Sequence, residues 1–569
     1  MKPASRHDVM AALTVTFLAI PQGLAYALIA DLPPVVGLYA ATLPAIIGSL
    51  TRSSRFVISG PTNALSLLVG GTVGAVAASQ GASPVEVAVA LAFGIGTIQV
   101  LAGIFRLGAL VDYISAPVVL GYITGAAVLI GMGQLGHLTG TPMERGHLPH
   151  QLSTWWGGLG DTHLPTLCVG LGTFCLVLMV RKWNRSWPSA LIAVGATTLC
   201  SFAFGFQEMG IRVVADLSVV QAALPPLTLP RFSLVLVVLP IALAGTVLSL
   251  VESTAVGRSI ASKTGERLDS SQEFLGQGLA NLSAAFCGGY PVSGSLSRSS
   301  LNWKAGAKTP WAGAFSGLLV LILVWTAGPF VNLVPLTSLG GLLLVIAWEL
   351  LDGSRMAATL KSNWGDALAF VCTVVGTWTV SLDKAIFIGV GISIVLFLRR
   401  ARLLVVGNLE VNAAGQLQES SPDQPSTRCP SIRVLHIEGS LFFGAAGELM
   451  GALDLATEDP AVRALVVRLK RTQGLDITTA QVFAQKSELL RTEQRTLILV
   501  GMRSETMKIL DRTGASGRIG RENLFPTETA WFQAMDHALH HALEKTKDHD
   551  HDQHGPCPIE SYLDARKSS

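Results

Sequence analysis

The segment Pro291-Val292-Ser293-Gly294-Ser295-Leu296-Ser297-Arg298 interrupts a chain that is otherwise strongly apolar. The helix predicted to follow it, up to Lys304, is too short to cross a bilayer by itself. A related segment, Ser59-Gly60-Pro61-Thr62-Asn63, precedes an apolar helix much earlier in the chain and places Pro61 at its predicted first position. In lipid, broken helices are stable only where they line a cavity inside the protein. The two segments therefore predict a membrane protein with a pair of half-helices.

Paired half-helices indicate a binding site for an anion. The unsatisfied N–H groups and positive dipole ends of both helices can face one point in space. Arg298 supports this interpretation, because a guanidinium near the middle of a membrane costs several kcal/mol unless it is paired or hydrated. A cavity that receives anions explains the position of Arg298 better than helix packing does.

Three further polar residues lie within apolar spans. Gln22 and Tyr26 are one turn apart on the first helix and present two polar groups on one face, where a hydrogen bond between helices is the alternative role. Glu252 lies deep within a later span, and an ionised carboxylate is costly there. It should either pair with a cation, for which Arg298 is the candidate, or hold a proton and so couple ion movement to substrate movement.

The composition indicates a polytopic membrane domain followed by a soluble one. Only 14% of the 569 residues are charged, against roughly 25% in an average soluble domain, and the mean hydropathy is +0.49. Apolar runs between Val9 and Leu398 predict about fourteen spans of roughly twenty residues each. Basic residues follow every second span, which by the positive-inside rule places both termini in the cytoplasm. The protein is expected in the inner, cytoplasmic membrane. The basic clusters are Arg52/Arg55, Arg106, Arg181/Lys182/Arg185, Arg258/Lys263/Arg267, Lys304/Lys308, Arg355/Lys361 and Arg399/Arg400/Arg402.

The remaining boundaries follow from changes in composition. Residues 1–404 are predicted to form the transmembrane domain and the polar stretch 405–430 a linker. Apolar runs of strand length alternate with helical patterns over 431–545, which predicts a small α/β domain. The hydrophilic tail 546–569 is predicted to be disordered.

The membrane part resembles the sulfate permease family of anion transporters from Asp8 to about Leu403. Several long motifs in the family's order carry the resemblance. They are 20–27 (IPQGLAYA), 32–34 (LPP), 37–39 (GLY), 53–64 (SSRFVISGPTNA), 250–263 (LVESTAVGRSIASK), 272–281 (QEFLGQGLAN) and 290–302 (YPVSGSLSRSSLN). The soluble part resembles the sulfate transporter and anti-sigma factor antagonist (STAS) domain that usually follows this membrane unit.

The resemblance implies a polytopic α-helical fold of about fourteen spans in two inverted repeats, divided into a core and a gate, with a C-terminal STAS domain. It implies substrate binding between the half-helices of the third and tenth spans, elevator-like movement of the core, and a homodimer. It assigns Glu252 to ion coupling, with a proton favoured over sodium because related sodium-coupled bicarbonate carriers tend to have Asp there. The implied substrate-binding residues are Gln22, Tyr26, Thr62, Asn63, Ser295, Leu296, Ser297 and Arg298.

The STAS-like part departs from its family at the phosphorylatable loop, where Ile477 occupies the usual first hydroxyl position and Thr478 follows. Control by phosphorylation through that route is therefore not expected, although Thr478 could still serve as the acceptor. A cytoplasmic protein partner is compatible with the domain. Histidines and Cys557 near the C-terminus invite a metal-binding interpretation, but a solvated helix end and polar tail is the favoured one. The histidines are His537, His540, His541, His549, His551 and His554.

Several functions remain open at this point. Backbone N–H groups and one arginine accept any small anion, so sulfate, bicarbonate, a dicarboxylate, nitrate and chloride are all compatible with the motifs. A passive anion channel would use the same helix ends, and a membrane sensor or scaffold could act through the STAS domain. An enzyme is not expected, because the membrane part shows no nucleophile with its base and no metal-ligand spacing. No cofactor and no nucleic-acid partner is predicted.

Overall fold

The computed structural model describes residues 3–567 with breaks at 109–114, 142, 144–147, 185–186, 222, 381, 413–415, 421–428, 529–531 and 547–556. The chain forms two compact units, Met1–Ser393 and Ile394–Ser569. The first is rich in apolar helices and is called the membrane unit below, and the second is called the C-terminal unit.

The membrane unit consists of helices and two short strands. In chain order they are α1 (Arg6–Ile29), α2 (Pro34–Tyr39), α3 (Leu43–Thr51), β1 (Ser59–Gly60), α4 (Asn63–Gln80), α5 (Pro84–Ile104), α6 (Ala116–Gly133), α7 (Leu135–Thr139), α8 (Leu148–Gly157), α9 (Leu164–Trp183), α10 (Ser189–Phe204), α11 (Phe232–Val237), α12 (Leu239–Thr264), α13 (Ser270–Phe286), β2 (Ser293–Gly294), α14 (Leu296–Lys304), α15 (Trp311–Val331), α16 (Leu336–Leu350), α17 (Gly353–Ser362), α18 (Trp364–Thr379) and α19 (Leu382–Ala401). The last of these continues into the C-terminal unit.

Among the described residues, eight segments are long and apolar enough to cross a membrane. They are Arg6–Ile29, Pro34–Thr51, Pro84–Ile104, Ala116–Thr139, Leu164–Trp183, Leu239–Thr264, Trp311–Val331 and Leu336–Ser362. The count of about fourteen spans stays a prediction, since several other helices of this unit are shorter or more polar.

Helix packing divides the membrane unit into two groups. In the first, α13 packs on α3 and α5, α1 packs on α15, and α12 packs on α4 and α5. In the second, α16 packs on α6 and α9, and α18 packs on α6. Glycines allow close contacts in both groups, for example at Gly278, where an added Cβ would lie 2.6 Å from the backbone nitrogen of Val100.

The C-terminal unit is a mixed six-stranded sheet with helices on both faces. Its elements are β3 (Val405–Val411), β4 (Leu417–Glu419), β5 (Ile432–Ser440), α20 (Ala446–Ala456), β6 (Ala464–Gln473), α21 (Ile477–Thr492), β7 (Thr496–Met502), α22 (Ser504–Arg512), α23 (Ala515–Ile519), β8 (Leu524–Pro526), α24 (Gln533–Thr546) and α25 (Pro558–Lys567). The strand order is β4-β3-β5-β6-β7-β8, with β5 to β8 parallel and β3 antiparallel to both of its neighbours. The predicted α/β alternation over 431–545 agrees with these elements.

Two predicted boundaries of the C-terminal unit differ from the structure. The stretch 405–430, expected to be a linker, contains β3 and β4, because alternate residues such as Leu409 and Val411 pack against the apolar layer under the sheet. The tail 546–569, expected to be disordered, contains α25, which buries Ile559 and Leu563 in the same layer. Apolar residues spaced four apart in α25 gave a helical signal that the polar composition obscured.

Candidate functional site

The two interrupting segments meet in the interior of the membrane unit. Strands β1 and β2 pair antiparallel, with Ser59 opposite Gly294 and Gly60 opposite Ser293. Thr62 is the N-cap residue of α4, and Ser295 is the N-cap residue of α14, where its hydroxyl accepts a hydrogen bond from the Arg298 N–H at 3.5 Å. Both half-helices, which the sequence predicted, therefore begin beside one pair of short strands, the strand junction, which it did not predict. Helix α4 begins two residues later than expected, at Asn63.

Arg298 is buried at this junction, with 1% of its surface exposed. Its guanidinium donates a hydrogen bond to the backbone carbonyl of Pro61, so the first turn of α14 is tied to the start of α4. Within the described part of the chain, its Nε–H has no hydrogen-bond partner and no carboxylate lies within 4 Å of the guanidinium nitrogens. Gly60 makes the arrangement possible, because an added Cβ would lie 2.2 Å from Nη1 of Arg298. The junction thus holds a buried positive charge that is not neutralised by a direct ion pair.

Glu252 lies on α12 beside the start of the other half-helix. Its Oε2 accepts a hydrogen bond from the Thr62 hydroxyl at 2.9 Å, and its side chain is partly exposed. The direct ion pair with Arg298, one of the two roles considered from the sequence, is not among the ion pairs of the described residues. Glu252 is instead attached to the N-cap residue of α4, where a change in its protonation state alters the charge beside that helix end.

Gln22 connects α1 to the start of α14. Its Nε2 donates to the Ser297 hydroxyl at 3.3 Å, and Ser297 also lies 3.3 Å from the hydroxyl of Ser295. This is the hydrogen bond between helices considered as the alternative role, and it places Gln22 directly beside the half-helix. Tyr26, one turn further along α1, is 6% exposed and near the Arg298 guanidinium.

The remaining two predicted residues, Asn63 and Leu296, lie at the helix starts, and no side-chain hydrogen bond joins them to the other predicted residues in the described structure. The Asn63 side chain accepts a hydrogen bond from the neighbouring Ala64 N–H at 2.8 Å. Leu296 exposes 56% of its surface and offers an anion no polar side-chain atom. The backbone N–H of Leu296, in the first turn of α14, is the group it could contribute.

A second buried arginine, Arg52, holds strand β1 of the junction in place. Arg52 belongs to the first of the basic clusters predicted to be cytoplasmic, and only 5% of its surface is exposed. Its guanidinium donates to the hydroxyl of Ser59 in β1 at 2.6 Å and to Oε1 of Gln277 at 2.7 Å, and it lies 3.6 Å from the Glu273 carboxylate. Helix α13 thus supplies the partners that compensate the buried charge of Arg52, and the cytoplasmic side assigned to this basic cluster stays a prediction.

Helix α13 presents the polar stripe that makes this support possible. Glu273, Gln277 and Asn281 are spaced four residues apart and therefore share one face. Gln277 and Asn281 both donate to the carbonyl of Val292, at 2.8 and 3.0 Å, and Asn281 accepts from the Val292 N–H at 2.8 Å. These hydrogen bonds hold Val292, the residue that precedes β2, in position. This spacing was the sequence signal that could have identified these positioning residues.

One group of described residues has the geometry of a metal site, and it lies in the C-terminal unit. Ligand atoms of Glu419, His436 and Glu438 lie within 4.8 Å of one another. Arg471 donates to Glu438 at 2.5 Å, and Arg468 Nη1 lies 3.4 Å from Nδ1 of His436. The hydrogen bond from Arg471 and, after it, that from His436 lower the pKa of the Glu438 carboxyl. Since the positive charge of Arg471 already compensates the Glu438 carboxylate, we interpret these residues as an ion-pair network and not as a metal site. Of the C-terminal histidines, His549, His551 and His554 lie outside the described residues.

Comparisons with known proteins agree with this architecture. Residues 6–373 match the sulfate permease family, and residues 425–530 match the STAS domain. The chain is 25% identical over 573 residues to sulfate transporter 3.1 of Arabidopsis thaliana, an alignment that covers 94% of this chain and 85% of that protein. Its fold resembles the structure of SLC26A9, with a TM-score of 0.87 at 20% identity over 97% of this chain and 92% of that chain. It also resembles the transmembrane domain of a cyanobacterium bicarbonate transporter, BicA, with a TM-score of 0.60 at 20% identity over 69% of this chain and 99% of that chain.

Proposed function

Because this chain belongs to the sulfate permease family of membrane anion transporters, we propose that it moves a sulfate-like inorganic anion or a dicarboxylate by proton-coupled secondary active transport. It is a multi-pass membrane protein with a C-terminal STAS domain and not an enzyme. In this proposal the anion enters the cell across the cytoplasmic membrane, both termini are cytoplasmic, and the protein works as a homodimer.

The observation that carries the proposal is the charge distribution at the strand junction. Two half-helices begin there, and each helix N-terminus contributes the equivalent of roughly half a positive charge. Arg298 adds a full positive charge that is buried and has no carboxylate within 4 Å in the described structure. An anion between the two helix starts would balance the positive charges of the helix N-termini and of Arg298.

Each predicted residue then has a definite role. Gln22 and Ser297 offer polar side-chain atoms on the α1 and α14 side, while Ser295 fixes the first turn of α14 through its bond to the Arg298 N–H. Thr62 and Asn63 form the start of α4 on the opposite side. Tyr26 lines the site beside Arg298, and Leu296 contributes its backbone N–H.

In this proposal Glu252 couples the movement of a proton to the movement of the anion. When it is ionised, its charge offsets that of Arg298, and the moving part of the protein carries the whole charge of the anion through a medium of low dielectric. When it is protonated, Arg298 offsets one charge of the anion. The proton therefore lowers the electrostatic cost of movement, and the hydrogen bond to Thr62 connects this change to the binding site.

An elevator-like movement is consistent with the two packing groups. The half-helix junction is bound to α1, α12 and α13 by hydrogen bonds, and these helices pack with α3, α5 and α15. Helices α6, α9, α16 and α18 pack mainly on each other. In the proposal the first group is the core, which carries the anion, and the second is the gate.

Uptake into proteoliposomes tests the proposed function. We expect purified protein to accumulate labelled sulfate or a dicarboxylate when the exterior is acidic relative to the lumen, and to lose this accumulation when a protonophore collapses the gradient. Protein-free liposomes are the control. Accumulation driven only by a sodium gradient, with bicarbonate as the preferred anion, would replace the proposal with a sodium-coupled bicarbonate carrier. Gradient-independent conductance would indicate a channel, and no movement of any anion would favour a sensor or scaffold.

A further inference from the structure

Two cysteines that are far apart in the sequence meet in the C-terminal unit. Cys429 lies just before β5 and Cys557 just before α25, and the Cys557 thiol donates a hydrogen bond to the Cys429 sulfur at 3.3 Å. Both are buried, with 8% and 5% of their surfaces exposed, and both are free thiols in the structure. The two sulfurs need to move a little over 1 Å closer to reach the disulfide bond length of about 2.05 Å.

The surroundings favour reaction at Cys429. The hydrogen bond from Cys557 lowers the pKa of the Cys429 thiol, although burial acts in the opposite direction. A thiolate is the nucleophilic form of cysteine. A cavity of about 20 Å³ reaches Cys429 between β3 and β5 and has room for about one water-sized molecule. A water-sized molecule therefore has a place beside Cys429, the more reactive sulfur.

We propose that Cys429 and Cys557 form a reversible dithiol–disulfide pair that responds to a peroxide. The Cys429 thiolate attacks one oxygen of hydrogen peroxide, which breaks the O–O bond and gives a sulfenic acid and hydroxide. The Cys557 sulfur then attacks the sulfenic sulfur, the S–S bond forms, and the second oxygen leaves as water after taking up the remaining proton. Both sulfurs are oxidised, both peroxide oxygens are reduced, and the products are one disulfide and two molecules of water.

Oxidation would attach α25 covalently to the sheet. In the reduced protein, α25 is held on α24 by polar contacts to Asp536, from the Tyr562 hydroxyl at 3.0 Å and from Nε of Arg566 at 3.0 Å. The disulfide adds a bond at the opposite end of α25, where it meets the residues leading into β5. A reducing cytoplasm keeps such pairs as thiols, so the disulfide would report oxidative conditions there.

A structural metal site is the other use of two adjacent thiols. Among the described residues, the three-residue group close enough to share a metal ion comprises Glu419, His436 and Glu438 and includes neither cysteine. The geometry therefore favours the redox pair, and metal analysis of the purified protein is part of the test.

Mass spectrometry of the full-length protein tests the pair directly. Purified protein is exposed to dilute hydrogen peroxide, its remaining thiols are alkylated under denaturing conditions, and it is digested with trypsin without reduction. We expect most molecules to yield one cross-linked species joining residues 429–433 to residues 548–566, and we expect dithiothreitol to abolish it. Cys429→Ser and Cys557→Ser should each remove this species, whereas Cys372→Ser, in helix α18, should leave it unchanged.

Three results would overturn the proposal. One is alkylation of both cysteines in wild-type protein under peroxide exposure that oxidises free glutathione in the same tube. Another is pairing of Cys429 with other cysteines as often as with Cys557. The third is stoichiometric zinc that protects both thiols. Because the decisive observation is made on wild-type protein, it stands whether or not the serine variants fold.

Discussion

Gly60→Ala is expected to weaken anion binding by roughly tenfold to a hundredfold while the membrane unit stays folded. The added Cβ would lie 2.2 Å from Nη1 and 2.8 Å from Cζ of Arg298, so the guanidinium must leave its position and its bond to the Pro61 carbonyl. A hydrogen bond to a charged group is worth about 1.5–3 kcal/mol, which corresponds to this range of affinity. Arg298→Ala should weaken binding by a similar factor, because it removes the positive charge that attracts the anion. The variant should stay folded, because removing the charge also removes the cost of burying it.

Binding of labelled anion to purified variants measures this effect, with thermal unfolding as the check on folding. Gly133→Ala is the matched control, since an added Cβ at the end of α6 has no atom within 4 Å. It should bind like the wild type. Wild-type affinity in well-folded Gly60→Ala and Arg298→Ala proteins would remove Arg298 from the site.

Glu252→Gln is expected to abolish uptake driven by an inward proton gradient and to retain anion exchange. The amide has nearly the shape of the carboxyl group and represents the protonated form permanently. Its side-chain oxygen can still accept the hydrogen bond from Thr62. The anion should therefore bind and move, but the proton gradient no longer has a group on which to act.

Paired assays in proteoliposomes separate these two activities. Gradient-driven accumulation and exchange of internal for external anion are measured on the same preparation, and Glu208→Gln, in an exposed loop of the membrane unit, is the control. Both activities should be normal in the control. Concentrative uptake by the Glu252→Gln protein in response to the proton gradient would show that Glu252 is not the coupling group.

The half-helices could be predicted from the sequence because the residues that interrupt the helices lie within short segments of the chain. Gly, Pro and Ser interrupt apolar runs at 59–63 and 291–298, and backbone groups released in a membrane must be satisfied inside the protein. The pairing of Ser59 with Gly294 and the bond from Arg298 to Pro61 could not be predicted, since they depend on how distant segments pack. The motifs indicated which residues matter but not which atoms they contact.

Arg52 and the cysteine pair show why other contacts in the structure could not be predicted from the sequence. A basic residue at the end of an apolar run looks the same in the sequence whether it is exposed or buried against a partner, and the contacts with Gln277 and Glu273 account for the burial of Arg52. The proximity of Cys429 and Cys557 depends on α25, which the hydrophilic composition of the tail concealed.

The location of a bound anion would distinguish binding at the strand junction from binding elsewhere in the membrane unit. A crystal structure of the protein soaked with selenate or bromide would show the heavier atom by its anomalous scattering. We predict one strong peak between the starts of α4 and α14, near the backbone N–H groups of Leu296 and Ser297 and close to Gln22. A well-occupied peak elsewhere in the membrane unit of a transport-competent protein, with this junction empty, would contradict it.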